Sequence, residues 1–210
     1  MEFDSFDPAQ LARIDQTKLM NGLVVPRPIA WVSTIGSAGV NLAPFSYFNI
    51  VAVEPPVVMF SVSIPVGERH GTVKDTLQNL GEVPEFVIHL VDAGLVGQMN
   101  VTSAEHPRGA DEFQAAGLTA IPSLHVRPPR IAEAGAHLEC RVIQTLRFGK
   151  VPYTMVLGEV LRIHTRKGIV NERLHVDQDA HRPIGRLGGA AQYATTRDRF
   201  VIENSNIRAG

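Results

Sequence analysis

The sequence is poor in the residues that build disulfides, zinc cages and strong charge fields. Its 210 residues include one cysteine, Cys140, and one tryptophan, Trp31. A lone thiol excludes an internal disulfide and any cysteine-based zinc site, and it points to a cytoplasmic setting. Charge of one sign is also missing: 20 Lys+Arg oppose 21 Asp+Glu, for a net charge of −1. With no basic run either, nothing marks a surface for nucleic acid. The most apolar stretch, Val57 to Val62, follows two prolines and contains Ser61. It falls far short of the roughly 20 residues that cross a membrane. The opening Met1-Glu2-Phe3-Asp4 is acidic and has no apolar signal core. With 44% hydrophobic and 20% charged residues, the composition is that of a globular protein rather than a disordered one. Repeats and Gly/Ser- or Pro-rich linkers are absent, so one domain is expected over residues 1–210.

What is abundant is punctuation. Eighteen glycines and fourteen prolines separate short β-like runs. Ile29 to Ile35 and Val40 to Asn49, the latter broken at Pro44, flank the turn Gly36 to Gly39 and read as a hairpin. Val57 to Ser63 and Glu85 to Val91 are further strands. Gly135 to Arg147 and Thr154 to Thr165 read as a long hairpin around Gly149 to Pro152. Helical spacing is weak over Pro8 to Leu19. It recurs at Leu95, Val96 and Met99, and in Asp111 to Ala116, where Asp111 caps and Gly117 terminates. Six strands and few helices predict a mainly β fold, a closed or nearly closed antiparallel barrel, with a sandwich as the alternative. A Rossmann fold is disfavoured: the strands do not alternate with helices, and no Gly-x-Gly-x-x-Gly occurs.

Four constellations bear on function. In Arg69-His-Gly-Thr-Val-Lys74-Asp-Thr76 a helix should start near Lys74. Its free N–H groups, the Lys74 and Arg69 charges and the Thr76 hydroxyl suit a phosphate, or else form a capped surface helix. Asp75 reads as a cap or as the partner of a cation. In Asn41-Leu-Ala-Pro-Phe-Ser46-Tyr47-Phe48-Asn49, aromatics and polar groups beside a proline suit a flat heteroaromatic ring, or else an aromatic core corner. Trp31 adds a face to that ring or fills the core. Ser61 and Ser63 share a strand face and suit ligand hydrogen bonds. Arg186-Leu-Gly-Gly189 with Tyr193 reads as a turn or a cleft mouth. Catalytic alternatives are weaker. His175-x-Asp177-x-x-x-His181 is a poor metal motif, His89 reads as a core histidine, Cys140 sits inside a strand, and no Gly-x-Ser-x-Gly elbow is present. No metal is expected, and no catalytic acid, base or nucleophile is assigned.

In order, Pro26-Arg-Pro-Ile-Ala-Trp-Val-Ser-Thr34, Asn41 to Asn49, Pro55-Pro56, Lys74-Asp-Thr76 and Arg186-Leu-Gly-Gly189 with Tyr193 resemble the flavin reductase-like FMN-binding proteins. The likeness runs from about Gly22 to Tyr193, and Met99-Asn-Val-Thr-Ser103 with Asp111-Glu-Phe113 resembles that family's helical insertion. It implies a split β-barrel, a homodimer, and one FMN per subunit near the subunit boundary. It places Ser46, Tyr47, Phe48 and Asn49 at the ring, with Ser61 and Ser63 and, less directly, Trp31 and Ser33. Lys74, Thr76 and Arg69 fall at the phosphate, and Arg186 and Tyr193 on the nicotinamide or substrate side. The implied activity is hydride transfer from NADH or NADPH to flavin N5, feeding a partner oxygenase or redox protein. The alternatives are an FMN electron carrier without fast nicotinamide oxidation and a non-catalytic barrel.

Overall fold

The computed structural model describes residues 1–64 and 71–202. A 3₁₀ turn, Pro8–Gln10, precedes α1 (Arg13–Leu23), β1 (Arg27–Pro28), β2 (Ala30–Gly36), β3 (Gly39–Phe45), β4 (Phe48–Val53) and β5 (Pro56–Val62). Then come α2 (Asp75–Glu82), β6 (Glu85–Leu90), α3 (Val96–Val101), α4 (Glu112–Ala115), β7 (Ala120–Ile121), β8 (Arg130–Ile131) and β9 (Ala136–Phe148). β10 (Tyr153–Thr165), α5 (Gln178–His181), β11 (Ile184–Arg186) and β12 (Tyr193–Thr195) complete the order. No helix among the described residues is long and apolar enough to cross a membrane.

The fold is mainly β. Seven strands form one sheet in the order β3-β2-β6-β9-β10-β5-β4, with every neighbouring pair antiparallel. All seven contribute to one buried cluster, among them Val32, Phe45, Phe48, Phe60, Phe86 and Val156. The Phe45 and Phe60 rings, from β3 and β5, lie 5.2 Å apart, so the sheet wraps around a shared interior. Hydrogen-bonded closure, expected from the strand count, is not made. β3 and β4 are the two edges of the sheet and are joined by Ser46-Tyr47 rather than paired. Alternation puts the other face of β2 in a second core, where Trp31 packs with Leu42, Met99, Phe113 and Ile131.

Two local expectations need correction. β3 is not broken at Pro44, which stays in register opposite Trp31. Because β3 is an edge strand, the missing proline N–H removes no ladder bond from a central strand. The break comes at Ser46-Tyr47. The first helix is also displaced: α1 begins at Arg13, beyond Leu11, and buries none of its residues. Other local signals hold. Asp111 Oδ1 accepts from Gln114 N at 3.1 Å, and Gly117 takes φ +64°, the left-handed conformation that ends a helix without a Cβ penalty.

Gly158 on β10 has a different role. A Cβ there would lie 2.3 Å from the ring of Phe86, which is fully buried in the interior cluster. Gly158→Ala is expected to cost about 1–3 kcal/mol of unfolding free energy by overpacking. A urea midpoint equal to that of the parent chain would show that the ring moves aside freely.

On the outer face of the sheet, His89, His137 and His164 are ladder neighbours across β6, β9 and β10. Their rings meet edge-on at 5.2 and 6.2 Å. His89 Nδ1 donates to the Trp31 carbonyl at 2.8 Å, while its Nε2 is buried without a partner. Burial and the neighbouring His137 push the His89 imidazole down to about 3. Burial and Arg130 push His137 down to about 4, so both rings are neutral at pH 7. Beside them the Glu139 carboxylate, 0% exposed, accepts from Leu124 N at 2.9 Å, His125 N at 2.6 Å and His164 Nε2 at 2.7 Å. It fastens the segment before β8 to the sheet. Despite the cost of burial, the backbone donors and His164 hold its carboxyl below the ordinary range.

Candidate functional site

The start of α2 gathers the described residues of the expected phosphate site, beside the carboxylates Asp75, Glu105 and Glu112. Lys74 occupies the N-cap position and its side chain makes no capping hydrogen bond, at a helix end where backbone amides point outward. Lys74 and Thr76 line a cavity of about 90 Å³ together with Ala43 and Pro44 of β3, and Ser103 and His106 after α3. Lys74 also borders a larger cavity of about 460 Å³, shared with Ser63, Thr145 and Arg147. Asp75 would oppose a phosphate, but Arg108 Nη1 lies 3.2 Å from its Oδ1, so Asp75 partners a cation, one of its two expected roles. Thr76 is buried, and its Oγ1 accepts from Asn41 Nδ2 at 3.0 Å. Arg69 lies outside the described residues.

Two residues after Pro44 comes the edge-to-edge crossing. Ser46 and Tyr47 are half-buried there, and the Tyr47 carbonyl accepts from Ser61 N at 2.9 Å. The Tyr47 ring stacks on Tyr153 at 5.9 Å with 17° between planes. Its hydroxyl donates to Asn21 Oδ1 at 2.7 Å. Burial, then Tyr153, raises the Tyr47 phenol above its ordinary value. The other aromatics of the motif divide. Phe48 turns into the interior cluster, whereas Asn49 is exposed and its Oδ1 accepts from Ile50 N at 2.8 Å. Trp31 and Ser33 are both 0% exposed. The Trp31 indole donates to Thr102 Oγ1 at 2.8 Å and the Ser33 hydroxyl to the Pro129 carbonyl at 2.6 Å. Their side chains belong to the outer core rather than to an open ring site.

A third group closes on the crossing. Arg27, Arg186 and Tyr193 share one rung of the sheet β1-β11-β12. The Arg186 guanidinium lies 4.8 Å from the centre of the Tyr193 ring, and that of Arg27 lies 6.0 Å from the Tyr47 ring. Arg27 donates to the carbonyls of Asn21 at 2.6 Å, Val24 at 2.9 Å and Leu187 at 3.2 Å, and burial lowers its pKa. A Cβ on Gly188 would stand 2.8 Å from Gly22 Cα, so the Arg186 turn rests on the end of α1. Residue-by-residue reading passed over Arg27, Asn21 and Tyr153. Only Arg27 carried a signal, as the cation between two prolines in Pro26-Arg-Pro28.

The residues weighed for other chemistries have local partners. Asp177 Oδ1 accepts from Asp179 N at 2.8 Å and Ala180 N at 3.1 Å, so the His175/His181 motif contains a helix cap. Among the described residues no group of His, Cys, Asp or Glu is arranged to hold a metal. Cys140 is buried, and burial pushes its thiol well up from the ordinary range, which leaves it unreactive.

Comparison with known proteins places the chain in a family. A protein of Deinococcus radiodurans, described only as uncharacterized, is 42% identical over 96% of this chain and 90% of its own. The crystal structure of nitrilotriacetate monooxygenase component B from Bacillus cereus superposes with a TM-score of 0.89 at 32% identity, covering 96% of this chain and 100% of that one. That of 2-nitrobenzoate 2-nitroreductase NbaA from Pseudomonas fluorescens superposes with a TM-score of 0.84 at 31% identity, over 99% and 100%. The sequence profile described as "Flavin reductase like domain" matches residues 20–185, a span that starts at the end of α1 and reaches β11. Lys74, Tyr47 and Arg27 fall within that span, which stops one residue short of Arg186, and the chain belongs to the flavin reductase-like family.

Proposed function

We propose that the chain binds FMN between the start of α2 and the Ser46-Tyr47 crossing and acts as an NADH- or NADPH-dependent flavin reductase. The observation that carries this reading is that Lys74 and Thr76, at the start of α2, line the same cavity as Pro44, two residues from the crossing. Lys74 and the first-turn amides would hold the phosphate, with Arg108 neutralising Asp75. Ser46, Tyr47 and the Ser61 and Ser63 segment would border the ring, with Asn21 and Tyr153 fixing the Tyr47 orientation. Arg186 and Tyr193 would face the nicotinamide. When bound, the flavin supplies the hydride-accepting chemistry, and the protein supplies binding and orientation. That division of labour accounts for a site with no strongly poised acid, base or nucleophile.

The same reading takes the β3–β4 gap as the split of a split barrel, and the protein as a homodimer with the cofactor near the subunit boundary. Its likeness to a monooxygenase component supports a partner oxygenase as the consumer of reduced flavin. Anaerobic stopped-flow mixing with NADH and with NADPH, repeated with FMN and FAD, tests the proposal. Rapid flavin bleaching by either nicotinamide is the expected result. Tight FMN with slow bleaching and fast exchange with a redox partner would favour an electron carrier. No bleaching with either nicotinamide, together with no binding of added FMN, would overturn the reading.

A further inference from the structure

The first 20 residues contribute no buried side chain to the fold. Residues 1–10 are all exposed, with Phe3 at 82% and Phe6 at 59%. α1, which follows, has no buried residue and leaves Ile14, Met20 and Leu23 in solvent. An isolated helix of this length is marginal in water. The segment is nevertheless held together: Gln16 Nε2 donates to the carbonyls of Pro8 at 2.7 Å and Leu11 at 3.0 Å. The leading residues alternate, with Glu2 and Asp4 on one side of an extended chain and Phe3 on the other.

A complementary surface lies at the far end of β10. A cavity of about 830 Å³ is lined by Arg130, Arg162, Arg166, His137 and His164, with no carboxylate among its lining residues. The Arg162 side chain makes no ion pair or hydrogen bond among the described residues, while its backbone lies in the β9–β10 ladder. β10 pairs with β5 only over Thr154 to Glu159, so Val160 to Thr165 pair with β9 alone and leave one backbone edge open. Ile163 stands 63% exposed on this stretch. An open edge beside three arginines suits an extended segment that carries acids on one side and an aromatic on the other.

We propose that the acidic arm of one copy docks along this edge in a second copy of the chain, with Glu2 and Asp4 facing Arg162 and Arg166. The arm would thereby settle α1, whose Asn21 holds the Tyr47 hydroxyl, so each subunit would help position a residue beside its partner's arm.

The test uses the full chain carrying Asp4→Cys and Arg162→Cys. Cys140 is buried and does not compete. Mild oxidation is expected to give a product of twice the chain mass on a non-reducing gel, with neither single variant matching its yield. In parallel, Glu2→Lys/Asp4→Lys and Arg162→Glu/Arg166→Glu should each weaken self-association at least about tenfold by sedimentation. An equimolar mixture should recover it, since the mixed dimer matches charge at both contacts. A disulfide within one chain, no disulfide, unchanged self-association of both reversed chains, or a monomeric parent chain would each overturn the proposal.

Discussion

Replacing Lys74 with alanine is expected to weaken FMN binding by about 1.5–3 kcal/mol, the range for a hydrogen bond to a charged group. That corresponds to roughly ten- to a hundredfold in the dissociation constant. The position favours a clean result. Lys74 caps α2 with its backbone, not its side chain, so alanine removes the ammonium while the helix start keeps its main-chain geometry. Lys74→Arg should restore most of the affinity, because a guanidinium also pairs with phosphate. Fluorescence titration of FMN, with riboflavin as a phosphate-free control, separates phosphate contact from a general loss of the pocket: riboflavin affinity should not change. An alanine variant that binds FMN like the parent would remove Lys74 from the site.

Glu139→Gln is expected to lower stability by about 3–5 kcal/mol at pH 7, the cost of breaking a buried charged network by removing one member. Three donors converge on this carboxylate. An amide keeps one acceptor but turns an NH₂ group toward donors that it cannot satisfy. The pH dependence follows from the direction of the shift. The folded carboxyl titrates below its unfolded value. Its contribution is therefore complete above about pH 4.3 and disappears as pH falls through the folded value. His89 and His137 weaken the fold in the same direction from a higher pH. They stay neutral in the fold down to about 3 and about 4, whereas unfolded imidazoles charge below about 6.5. Parent-chain stability should start to fall near pH 6.5 and fall more steeply below about pH 4.3. The gap between parent and Glu139→Gln should narrow there. Urea unfolding at pH 7, 5 and 3.5 measures both, and a constant gap would contradict the assignment to the ionised carboxylate.

Short-range signals were legible where one residue type forces one geometry. The long hairpin lies within a residue of its expected ends, and the helix starts at Lys74 and Asp111 were apparent from caps and spacing. The early helix was displaced because its apolar residues pack on nothing in the chain, so their spacing carried no burial information. Pro44 was read as a break because its place at a sheet edge depends on strand order, which no local pattern encodes. Trp31 was weighed for two roles, and the deciding partner, Thr102, lies 71 residues away. The same distance problem hid Arg27, whose bond to the Leu187 carbonyl spans 160 residues. Side chains that act through remote backbone leave almost no mark on their sequence neighbours.

The seating of Gly188 against Gly22 limits how this molecule can vary. The contact is one-sided: a side chain on Gly188 would drive the two segments apart, whereas one on Gly22 would meet open space. Changes in what the cleft admits must then arise from the tips of Arg27, Arg186 and Tyr193, while the frame that carries them stays the same width.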